Sequence, residues 1–139
     1  MLVSFFQSSR EWDLASDGFY MTYSDIVYTQ SVARALRDAE GDICVVVDRD
    51  FRRGGGVRPN HPFEQVEVVG IDSALGPMGG VQSIGKGSCG SSADGDSVFG
   101  EFIGLIKVSS RGREVLTEAM HELGIEVMQD GSLVHHKFG

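Results

Sequence analysis

The stretch Ile43-Cys44-Val45-Val46-Val47 decides how the chain is read. Five apolar residues without a polar interruption predict a strand buried on both faces, the habit of parallel sheets. Upstream, Thr29 or Ser31 can cap a helix running to about Ala39, with Val32, Ala35, Leu36 and Ala39 at helical spacing. Gly41 is its stop. Before that helix, Phe19-Tyr20-Met21-Thr22-Tyr23 is aromatic and β-branched, and reads as a strand. Strand, helix and strand make the minimal right-handed crossover and predict an α/β layered domain. A further helix is expected over Leu2 to Trp12, with Leu2, Phe5, Phe6 and Ser9 near one face.

Downstream, Arg52 to Pro62 holds three consecutive glycines, two prolines and three arginines, so it reads as a flexible loop. Val66 to Ile71 reads as a strand with Val81 to Ile84 as its hairpin partner. Gly85 to Gly100 turns to Gly, Ser and Asp and is expected to be a second flexible loop. Phe99 to Val108 returns to strand character. Ser109 or Ser110 then opens a helix with the apolar stripe Val115, Leu116, Ala119, Met120 and Leu123, ended by Gly124. Ile125 to Met128 is a final short strand, and His135-His136 belongs to a polar, solvated tail.

Length and composition bound the function. The 139 residues suit one domain. Hydrophobic content of 41% and charged content of 23% are ordinary for a globular chain. A formal net charge of −8 argues against a nucleic-acid surface. No apolar run approaches the ~18 residues of a membrane-spanning helix. Met1 to Trp12 lacks the basic start and long apolar stretch of a signal peptide. With only Cys44 and Cys89, the first inside an apolar run and read as a buried inert thiol, a reducing cytoplasmic setting is expected.

Several residues carry candidate chemistry. Asp25 follows the aromatic strand directly, where open α/β sheets bind ligands, and a carboxylate there suits Mg²⁺. The competing reading is an Asp that accepts backbone N–H groups in a turn. Asp48-Arg49-Asp50 follows the buried strand and reads either as a polar substrate contact or as a solvated turn. Gly80-Val81-Gln82-Ser83-Ile84-Gly85-Lys86 matches the first seven positions of a phosphate-binding loop, but Gly87 replaces the hydroxyl residue and no helix is expected after it. Lys86 remains as a cation at a strand end, able to meet a phosphate. His61, His121, His135 and His136 are not spaced as a zinc site, and no Gly-x-Ser-x-Gly elbow is present.

Four segments, taken in order, carry a resemblance: Tyr23 to Tyr28, Ile43 to Phe51, Ile84-Gly85-Lys86, and Gly100 to Lys107. Together they resemble the sugar-nucleotidyltransferase-like enzymes of the phosphocholine and phosphonate cytidylyltransferase type, over about Met1 to Leu123. The resemblance implies a Rossmann-like three-layer fold with a mostly parallel sheet. It implies transfer of a nucleoside monophosphate, CMP from CTP, to a phosphorylated or phosphonate small molecule with release of pyrophosphate. On its terms Asp25 is the Mg²⁺ ligand, Lys86 a catalytic lysine, and Glu101 lines the acceptor side; Asp48 and Arg49 are the substrate-binding candidates from their place after the buried strand.

This chain does not match the family's opening Gly-rich nucleotide-gripping loop or its second metal carboxylate after a Gly-Trp segment. It therefore reads as the central part of the family domain, with weak or absent catalysis expected of it alone. An alternative of another class is a non-catalytic binding or assembly module on the same frame, self-associating through exposed apolar surface.

Overall fold

Twelve consecutive residues, Ser97–Val108, form the longest strand among the described residues, and three other strands pair with it. The computed structural model describes residues 9–12, 16–51, 63–72, 74, 79–86, 97–128 and 133–135. In chain order the elements are α1 (Ser9–Trp12), β1 (Phe19–Thr22), α2 (Gln30–Asp38) and β2 (Ile43–Asp48). A 3-10 turn (Phe63–Gln65), β3 (Glu67–Asp72), β4 (Gly80–Lys86) and β5 (Ser97–Val108) follow, then α3 (Ser110–Glu122), β6 (Ile125–Val127) and β7 (Leu133–His135).

The sheet runs in the order β1-β5-β3-β4, with β2 also paired to β5, and its strands are antiparallel. This overturns the mostly parallel, Rossmann-like three-layer fold. The strand–helix–strand run exists, but β1 and β2 do not pair with each other; each pairs with β5. The apolar run that suggested a parallel strand is half-buried along Cys44 to Val47, and Ile43 is exposed. Burial on both faces belongs instead to β3, where Val68 and Val69 are 1% and 0% exposed. Successive strand residues point to opposite faces, so both faces of β3 are covered in an antiparallel setting. An uninterrupted apolar run does not report strand direction.

Other expectations shift as well. Gly85 and Lys86 close β4, and Ser97 to Gly100 open β5, so the second expected loop is shorter at both ends; residues 87–96, including Cys89, lie outside the described residues. The expected loop over 52–62 and most of the N-terminal helix also lie outside them. His135 pairs with Ile125 in a strand instead of trailing in a tail. On α3, Val115 and Leu123 are exposed, and Met120 carries the burial of the stripe. Cys44 is half-buried, with its Sγ 3.7 Å from the carbonyl oxygens of Glu40 and Gly41. Among the described residues no helix is long and apolar enough to cross a membrane.

Two compact units divide the chain: Met1–Met21, Glu40–Cys44 and Ile106–Gly139 form one, and Thr22–Ala39 and Val45–Leu105 the other. In the first, Trp12, Val108 and Met120 are the buried apolar residues among those described. Trp12 stacks on Phe19 at 5.3 Å between ring centroids, and its carbonyl accepts from Arg113 at 3.0 Å. Ser109 caps α3, accepting from the Gly112 N–H at 2.9 Å and donating to Asp42 Oδ1 at 2.8 Å. Gly112 must be small, because a Cβ there would run into the Asp42 carbonyl.

In the second unit, Leu36, Ala39, Val66, Val68, Val69, Phe102 and Leu105 form the core. β3 is its centre, paired with β5 on one edge (Val68 opposite Glu101) and with β4 on the other (Val68 opposite Gly85). The β3–β4 register shifts between Gly70, opposite Ser83, and Ile71, opposite Val81, which leaves Gln82 as a bulge.

Candidate functional site

Glu67 stands at the first position of β3, and the Tyr23 hydroxyl donates to its Oε2 at 3.0 Å. Tyr23 reaches it from just beyond β1, anchored by its own N–H to the Gly104 carbonyl at 2.9 Å. Its ring lies over Gly104 and meets Phe102 edge-on, with centroids 5.6 Å apart. Gly104 has φ of +85°, and a Cβ would strike the ring, so no other residue supports this placement.

Burial pushes the Tyr23 hydroxyl well above the ordinary tyrosine range. The bond to Glu67 and the negative charges of Glu67 and Asp25 push it further in the same direction. Tyr23 is therefore a held phenol that donates a hydrogen bond to Glu67. Lys86 lies directly across from Glu67 in the β3–β4 ladder. Opposed residues of an antiparallel pair share a face, so phenol, carboxylate and ammonium belong to one face of the sheet.

The residues singled out from sequence divide into two groups. Asp25 sits on an exposed turn beside Tyr23, and Lys86 is opposite Glu67, so these two gather around the Tyr23–Glu67 bond. Glu101 is half-buried opposite Val68, one position further along β3, which turns it to the other face from Lys86. Asp48 ends β2 close to Gly100, and its Oδ1 accepts from the Asp50 N–H at 2.8 Å. That bond is the turn alternative for Asp48-Arg49-Asp50, with Arg49 exposed on it.

Lys86 and Glu101 thus do not converge on one small acceptor. Among the described residues no group of three or more His, Cys, Asp and Glu is placed to hold a metal ion. Sequence reasoning passed over Tyr23 and Glu67 as strand residues. The available signal was that Glu67 is the one charged residue within Val66 to Ile71.

β4 is the last strand of the sheet order, and among the described residues no strand pairs with its outer edge. Ile84 is opposite Val69 and Val81 is opposite Ile71, so the bulge at Gln82 puts both on the face that carries Glu67 and Lys86. Val69 is 0% exposed, yet Ile84 and Val81 are 55% and 53% exposed. The core of this unit ends at β3, and its apolar surface continues uncovered onto β4. The sequence that resembled a phosphate-binding loop is this edge strand. Comparison with protein-family models, curated proteins and solved structures finds no match to the chain.

Proposed function

We propose that the chain is a binding or assembly module that takes an extended polypeptide segment onto β4. The observation that carries this reading is an edge of β4 with which no strand pairs among the described residues, together with two exposed apolar side chains, Val81 and Ile84, on that strand. An edge strand offers N–H and C=O groups to an incoming strand, while side-chain contacts on the face set which strand is accepted. β4 has a single charged residue, Lys86 at its end, so the strand lacks the charges that commonly block such pairing. The test is calorimetry with an extended valine-rich peptide on the chain and on the double variant Val81→Ser/Ile84→Ser. Heat of binding with the first and none with the second supports the reading; equal heat with both, or none with either, counts against it.

A second reading is nucleotidyl transfer, CMP from CTP to a phosphorylated or phosphonate acceptor. One observation favours it: Asp25 presents an exposed carboxylate on the turn directly after β1, open to a metal-bound nucleotide. Calorimetry with Mg²⁺ and CTP on the chain and on Asp25→Ala decides it, since equal affinities, or none, remove Asp25 as a ligand.

A further inference from the structure

We infer that the segment taken by β4 is a cationic strand of another protein, with its basic residues N-terminal to its apolar ones. This rests on the reading of β4 as a docking edge. Two arguments choose the occupant. A second copy of the chain would bring a net charge of −8 against another −8, which opposes association, whereas a basic segment is drawn in by the same field.

The local charge agrees, and it also sets the direction. At the Lys86 end of β4, Glu67 stands directly across the ladder, Glu64 is exposed three residues before it, and Asp25 acts on the Tyr23 hydroxyl that Glu67 holds. Glu67 and Asp25 thus place negative charge at the Lys86 end of β4. At the Gly80 end the opposed carboxylate is Asp72, which like Glu67 accepts one hydrogen bond, so the two ends differ by the added charge of Asp25 beside Glu67. Antiparallel addition is the somewhat more stable mode. Because β4 runs from Gly80 to Lys86, an antiparallel newcomer starts beside the acidic end. Its basic residues belong at its start, and its apolar residues then pass Ile84 and Val81.

The experiment is fluorescence anisotropy with three labelled peptides that share one alternating valine–threonine core. One carries two lysines at its start, one carries them at its end, and one carries two glutamates at its start. Each is titrated onto the chain, onto Val81→Ser/Ile84→Ser, and onto Asp25→Asn/Glu64→Gln, with light scattering of the chain alone alongside. The lysine-first peptide is expected to bind tightest, about tenfold or more over the glutamate peptide. That preference shrinks in Asp25→Asn/Glu64→Gln, and binding is lost in the serine variant.

Equal binding of all three peptides, lost in the serine variant, overturns the cationic occupant and leaves the docking edge standing. A dimer of the chain that the serine variant abolishes, without peptide binding, replaces the occupant by a second copy and likewise overturns the inference. A lysine preference that the serine variant retains is charge attraction without strand addition, and it overturns both readings. The absence of both peptide binding and dimer overturns both as well.

Discussion

Tyr23 and Glu67 are 44 residues apart in the chain and 3.0 Å apart in the fold, joined by a hydrogen bond from the phenol to the carboxylate. The bond ties the segment after β1 to the start of β3, and it closes the polar end of a face whose remainder is apolar.

Tyr23→Phe removes that bond and leaves the ring in place over Gly104. The expected loss of stability is about 1 kcal/mol, measured by urea denaturation. Burial raises the folded-state pKa of Tyr23 first, with the bond to Glu67 next. A group whose folded pKa is raised stabilises fully below its unfolded value, about 10 for tyrosine, and this contribution is lost as pH rises above it. Wild type is therefore expected to lose stability more steeply than Tyr23→Phe above about pH 10. Parallel curves would show that Tyr23 is not held as described.

Gly104→Ala places a methyl group against the Tyr23 ring at a backbone φ of +85°. Strain and clash together are expected to cost about 2 kcal/mol or more, a larger loss than Tyr23→Phe. The check is the order of the two denaturation midpoints.

Ser109→Ala removes the cap of α3, which accepts from Gly112 and donates to Asp42. A loss of about 1 kcal/mol is expected. Gly112→Ala drives a methyl group into the Asp42 carbonyl and should cost more than loss of the cap. Thermal melts of the two variants read this difference.

Val69→Ala and Ile84→Ser separate core from edge. Val69 is fully buried, so its truncation is expected to cost about 2 kcal/mol. Ile84 is more than half exposed, so its replacement should change stability by about 0.5 kcal/mol or less while weakening peptide binding. A large stability loss in Ile84→Ser would mean that something covers β4.

Much of the secondary structure was legible because it rests on local signals. Ser109 announces α3 and Gly124 ends it at φ of +63°; β1, β2, β3 and β5 fall close to where their apolar runs lie. Strand direction was not legible, since Ile43 to Val47 carries the same pattern whether its neighbour runs with it or against it. Nor was the bulge at Gln82, a property of register that decides which face Val81 and Ile84 share. The Tyr23–Glu67 bond is equally a product of tertiary placement. Asp25 and Lys86 were singled out for phosphate chemistry, yet they take their places from the carboxylate–phenol pair that sequence reading passed over.

The central claim is that β4 receives another strand, and amide hydrogen exchange over Gly80–Lys86 tests it most directly. With saturating lysine-first peptide, amides on the outer edge of β4 are expected to slow markedly while those of β3, already paired on both sides, stay as they were. Unchanged exchange across β4 with the peptide bound would contradict the account.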